Sequence, residues 1–159
     1  MVGLFAQPSV AVAVTGSAHR RIADVSGNWV SSDPIAVTGT RSLGAVVALT
    51  ATGSSSWTGD LRGPTTFTLQ AISDPSNAIH GTINETFRGT VAGIGTGDLV
   101  LAEVFRSAPD GQLLLEAVVT SGGGALAHVR GMLRFTGVTD AVGVGGGSYA
   151  GTLVWIDGQ

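Results

Sequence analysis

Short apolar runs alternating with small or polar residues, each bounded by turn-forming clusters, recur along the chain. From Ser9 to Thr15, Val10, Val12 and Val14 alternate with small residues, the period-2 pattern of a strand with one bulky face. Turn signals follow at Ser26-Gly27-Asn28, Asp33-Pro34, Gly59-Asp60, Gly63-Pro64, Ser73-Asp74-Pro75, Gly93-Ile94-Gly95, Pro109-Asp110-Gly111, Gly122 to Gly124 and Gly143 to Gly147. Between these signals the pattern predicts strands at about Val10–Thr15, Arg21–Val30, Ala45–Thr52, Thr66–Ile72, Thr82–Thr90, Asp98–Ser107, Gln112–Thr120, Gly131–Gly137 and Ser148–Ile156. No window reads as an amphipathic helix. Ala45 to Ala51 has some helical propensity, but Gly44 and Gly53 bound it at strand length. The expectation is an all-β chain, with residues 1–159 forming a single closed antiparallel β-barrel of about eight strands.

The hairpin of Asp98–Ser107 with Gln112–Thr120 has a definite register. Ala108-Pro109-Asp110-Gly111 fits a type I turn followed by a glycine bulge. Pairing Ala108 with Gln112 then sets Arg106 opposite Leu114, Phe105 opposite Leu115, Val104 opposite Glu116 and Glu103 opposite Ala117. One face carries Leu99, Leu101, Glu103, Phe105, Leu113, Leu115, Ala117 and Val119; the other carries Val100, Ala102, Val104, Leu114 and Val118 among Asp98, Arg106 and Glu116. Both faces are largely apolar, and the chain is too short to cover both, so a homo-oligomer is expected.

Composition narrows the chemistry. The 159 residues include no Cys, which removes disulfides, thiol nucleophiles and thiolate metal sites. All eight basic residues are Arg, so lysine Schiff-base chemistry and a Walker P-loop are excluded as well. A net charge of −3 offers no footprint for nucleic acid. No apolar stretch approaches the roughly 18 uninterrupted residues of a spanning helix. Residues 1 to 18 carry no basic residue and break at Gln7-Pro8, a poor secretory signal, so no membrane association and a cytoplasmic location are expected.

Three stretches carry a family resemblance: Glu85-Thr86-Phe87-Arg88-Gly89-Thr90-Val91-Ala92-Gly93, the turn Pro109-Asp110-Gly111, and Val118 to Gly131 with its Gly122-Gly123-Gly124-Ala125-Leu126-Ala127-His128 core. Over Glu85 to Phe135 the chain resembles an uncharacterised bacterial family of the allene-oxide-cyclase-like barrel group, with a more distant likeness to plant dirigent proteins. The resemblance implies a small closed barrel, often oligomeric, whose lumen or mouth takes an apolar small molecule. It assigns no catalytic residue.

The candidate chemistry therefore comes from the residues. Glu103 shares its strand face with Leu99, Leu101 and Phe105 and faces no cation across the hairpin, so its pKa should be raised into the range of a general acid or base. If the turn at Val91–Gly95 pairs residues whose numbers sum to an even value, Glu85 shares that face and the two form a coupled carboxyl pair; an odd register instead sets Arg88 beside Glu103. Glu116 lies on the opposite face, diagonal to Arg106, as in a structural ion pair. Phe105, Leu101, Leu115, Phe87, Trp155 and Tyr149 are candidate pocket wall, and His128 in the Gly-rich turn is a candidate ligand contact. His19, His80 and His128 have no ligand spacing, and neither a metal nor a cofactor is expected. The leading expectation is a cyclase or isomerase of bacterial secondary metabolism that folds an apolar substrate, with Glu103 and Glu85 moving a proton. The alternative is a non-catalytic barrel that binds or carries an apolar ligand.

Overall fold

The computed structural model describes residues 19–157, and it answers the alternation with nine antiparallel strands and no helix among them. They are β1 His19–Ser31, β2 Ala36–Leu43, β3 Val46–Gly59, β4 Leu61–Ser73, β5 Ile79–Val91, β6 Gly95–Ser107, β7 Gln112–Gly124, β8 Arg130–Thr139 and β9 Gly145–Asp157. The sheet runs β1-β9-β8-β7-β6-β5-β4-β3-β2, and β1 also pairs with β3 from Gly27↔Gly59 to Val30↔Ser56. That last pairing closes eight strands into a barrel. β2 lies outside the ring, paired only with the first half of β3. With no helix among the described residues, none is long and apolar enough to cross a membrane.

The expected strand at Val10–Thr15 lies outside the described residues. Two departures from the expected strands have physical causes. β2 carries no apolar alternation, because all eight of its residues are exposed and a register shift between Val37 and Gly39 interrupts it. β3 runs on past Thr52 through Gly53-Ser54-Ser55-Ser56 to Gly59, a stretch whose composition resembles a loop. It holds as a strand because β4 pairs with it as far as Trp57↔Gly63 and β1 takes its other edge from Ser56↔Val30 to Gly59↔Gly27.

The β6–β7 hairpin has the register that its turn dictates: Phe105↔Leu115, Val104↔Glu116 and Glu103↔Ala117. Gly111 sits at φ +84°, the left-handed region that favours glycine, and its N–H donates to Ala108 O at 2.9 Å. Inward-facing positions divide the barrel into two halves. In the closed half, Leu61, Phe87, Val91, Leu99, Leu101 and Leu153 pack with essentially no exposure, and Leu126 and Val129 of the β7–β8 connection cap them. Above them Trp57 touches Phe87, Phe135 and Tyr149 at ring separations of 5.3, 5.0 and 5.6 Å. Trp29 fits where Gly137 has no side chain, since a Cβ there would stand 2.7 Å from its ring. The Trp29 indole N–H donates to Thr136 O at 3.2 Å.

The outer surface of the same strands stays apolar and exposed. Val104, Val118, Met132 and Ile22 stand outward on β6, β7, β8 and β1, Met132 at 63% exposure.

Tyr149 ties the β3–β4 turn to the closed half. Its hydroxyl accepts the Leu61 N–H at 2.8 Å and lies 3.0 Å and 3.1 Å from the Thr58 and Leu61 carbonyls, toward which it donates. Tyr149→Phe leaves the Leu61 N–H buried without an acceptor, at a cost of about 1–3 kcal/mol. A lower urea midpoint with an unchanged far-ultraviolet circular dichroism spectrum is the expected result.

Candidate functional site

The turn between β5 and β6 decides which side chains meet inside. Gly93 takes φ +74°, Ile94 N–H donates to Val91 O at 3.1 Å, and the strands leave the turn as Val91↔Gly95. The pairs that follow are Arg88↔Asp98, Glu85↔Leu101 and Ile83↔Glu103, so the even register holds and both glutamates point inward on neighbouring strands. Arg88 points outward instead, 3.6 Å from Asp98 at the surface. Glu116 also points outward. Its direct neighbours are Val104 and Arg134, and the expected ion pair with Arg106 does not form.

The open half of the barrel holds a cavity of about 640 Å³, within the size range of small-molecule sites. Its mouth lies among the loops that contribute Ile35, Asn77, Pro109-Asp110-Gly111 and Asp140-Ala141. Its wall is mainly apolar, with Trp29, Leu49, Phe67, Leu69, Ile83 and Phe105 prominent, and Trp57, Phe135, Ser55, Glu85 and Glu103 also line it.

The two carboxyl groups have different surroundings. Ser55 Oγ donates to Glu85 Oε1 at 3.3 Å, accepts from Trp57 Nε1 at 3.2 Å and shares a 2.6 Å hydrogen bond with Thr65 Oγ1. Glu103 is only 3% exposed, and no N–H or hydroxyl donor reaches either of its carboxyl oxygens; its polar neighbour is the Glu85 carboxyl. Burial, reinforced by the charge of Glu85 and by a hydrogen bond to it, pushes the Glu103 carboxyl up to about 11. Burial raises Glu85 as well, against the opposing pull of its hydrogen bonds. At neutral pH Glu103 is therefore a neutral carboxylic acid facing an apolar cavity, able to donate a hydrogen bond or a proton to an oxygen placed there.

Of the residues that the sequence singles out, Glu103, Glu85, Phe105 and Leu115 come together on this cavity. Leu101 and Phe87 are buried below it in the closed half, and Tyr149 serves there as the anchor of the β3–β4 turn. Trp155 is half-buried near the end of β9, packed against the core. His128 is exposed on the β7–β8 connection, at the barrel end opposite the mouth. These five do not line the cavity: inward orientation alone does not tell the open half from the closed one, and a Gly-rich turn does not tell which end of the barrel opens. Trp29, Ile35, Leu49, Leu69 and Ser55 line it without having been singled out. Ser55 was legible in principle, since Ala51, Gly53, Ser55 and Trp57 keep one period-2 face through the serine run. Among the described residues no cluster of three or more His, Asp or Glu forms a metal ligand set.

No protein-family model matches the chain, and no curated protein does. Among solved structures, the chain is similar to a protein of unknown function from the DUF3224 family of Shewanella oneidensis MR-1, with a TM-score of 0.64 and 17% identity over 85% of this chain and 98% of that one. It is also similar to the pterocarpan synthase dirigent protein GePTS1, with a TM-score of 0.54 and 14% identity over 94% of this chain and 97% of that one. At these identities the likeness is one of fold: a closed β-barrel that dirigent proteins share.

The buried acids have a stability signature. Unfolded, Glu103 ionises near 4.5; folded, it holds its proton far higher, so unfolding releases a proton throughout the interval between. The contribution is fully present below the unfolded value and is lost as pH rises through the folded one, at up to about 1.4 kcal/mol per pH unit. Thermal melts of the native protein should therefore fall from pH 5 to pH 8 more steeply than those of Glu103→Gln. Parallel profiles would contradict the assignment.

Proposed function

We propose that the protein is a cofactor-independent cyclase or isomerase, a barrel that folds an apolar small molecule and moves one proton with Glu103. The observation that carries this reading is a carboxyl group at 3% exposure, reached by no donor and neighboured by the Glu85 carboxyl, on the wall of an open, largely apolar cavity. A buried carboxyl group that no donor holds costs stability, and a reacting molecule supplies a reason to retain it. The cavity would hold the substrate in a near-attack conformer and keep water away while Glu103 protonates an oxygen. An isomerisation or cyclisation leaves the formula unchanged, so a proton must return from the product. Glu103 closes that balance as a bifunctional acid, one carboxyl oxygen giving its proton while the other accepts one from the same molecule, so that no buried carboxylate is left.

The likeness to the allene-oxide-cyclase-like group over Glu85 to Phe135 supports the same class of reaction, and the dirigent neighbour is by its name a synthase. A role in bacterial secondary metabolism and a cytoplasmic location belong to this reading. So does a homo-oligomer that buries the outward Val104, Val118 and Met132.

Two measurements test it. Native mass spectrometry of Glu103→Gln as purified, followed by denaturing release, should yield a trapped apolar substrate. The native protein should convert that compound to an isomer of equal mass and different chromatographic retention. If the native protein returns the compound unchanged, the barrel is a binder or carrier. By light scattering the native protein should be a multimer, and Val118→Asp combined with Met132→Asp a folded monomer.

A further inference from the structure

The charge pattern of the cavity restricts what can enter it. Its wall contains four acidic residues, Glu85, Glu103, Asp110 and Asp140, and neither Arg nor His, while the chain has no Lys at all. The rim aspartates are committed to their own loops: Asp110 accepts the Gln112 N–H at 3.1 Å, and Asp140 accepts those of Val142 and Val144 at 2.9 Å each. Glu85 is held by Ser55 at 3.3 Å. That leaves the Glu103 carboxyl as the acidic group on the wall that no donor holds, with the Glu85 carboxyl as its polar neighbour.

A bound anion would lose its water here and gain no cation, and it would pass two rim carboxylates on the way in. An ammonium ligand would have to ionise Glu103, which has no N–H or O–H donor to support its carboxylate, so the buried ion pair would recover little of its desolvation cost. A neutral molecule with a carbonyl, ether or similar oxygen meets neither obstacle. It accepts the hydrogen bond that Glu103 has to give, and its apolar body fills the rest of the wall.

We propose that this cavity selects neutral apolar ligands bearing a hydrogen-bond-accepting oxygen, docked on Glu103, and discriminates against carboxylates and amines of the same shape. The inference rests on the functional reading above for its choice of site, but it concerns recognition and needs no turnover.

Equilibrium dialysis against four naphthyl probes tests it: acetonaphthone, naphthalene, naphthoate and naphthylmethylamine. The ketone should bind the native protein about tenfold more tightly than the hydrocarbon, the equivalent of one buried hydrogen bond. Naphthoate and the amine should each bind at least about tenfold more weakly than the ketone. In Glu103→Leu the advantage of the ketone over naphthalene should vanish while naphthalene still binds, which shows that the cavity is intact. In Glu103→Gln, whose amide can still donate, that advantage should persist. Naphthoate or the amine binding as well as the ketone would overturn the proposal, as would a ketone advantage that survives Glu103→Leu. Selective ketone binding with no substrate conversion would uphold this inference and refute the enzyme reading alone.

Discussion

One strand register governs the chemistry of this barrel. The β5–β6 turn pairs Val91 with Gly95, and from that pairing Glu85 and Glu103 enter the interior together while Arg88 leaves it. A slip of one residue would turn Arg88 inward and Glu85 outward, setting Asn84 or Thr82 opposite Glu103. The interior would then hold a guanidinium and a single carboxyl group in place of the acid pair. The proposed proton donation and the preference for neutral ligands both follow from the absence of that cation.

The barrel keeps two buried acids without a cation on the cavity wall by dividing its interior. The half containing Leu61, Phe87, Val91, Leu99 and Leu153 is packed and capped, and the aromatic cluster around Trp57 lies at the boundary. The other half is left open to a cavity walled by Trp29, Leu49, Phe67 and Phe105. Burial of apolar surface in the first half offsets the desolvation of the carboxyl groups bordering the second. The arrangement is a cup with a packed base, and the Glu103 carboxyl is held by a strand instead of a loop.

Much of this was legible from residue order. The period-2 runs located most of the strands, and Ala108-Pro109-Asp110-Gly111 set the β6–β7 register from Ser107↔Leu113 to Leu101↔Val119, beyond which a bulge shifts the pairing by one residue. The β5–β6 register was not legible in the same way, since Ala92-Gly93-Ile94 is compatible with more than one turn and parity alone changes the outcome. β2 was hidden because a strand exposed on both faces has no apolar period, and the second half of β3 was masked by its serines. The site was legible only in part. Alternation identifies inward residues, but it does not report depth along the barrel axis, and depth separates Phe105 and Leu115 on the cavity from Leu101 and Phe87 beneath it.

The central claim is that Glu103 is a neutral acid at neutral pH. The chain contains three glutamates, Glu85, Glu103 and Glu116, so carbon NMR of protein labelled at the glutamate carboxyl gives three resonances, and Glu103→Gln assigns one by its disappearance. The account predicts that the Glu103 signal keeps the chemical shift of a protonated carboxyl through neutral pH. A signal that moves to the carboxylate position near the ordinary value of 4.5 would contradict it.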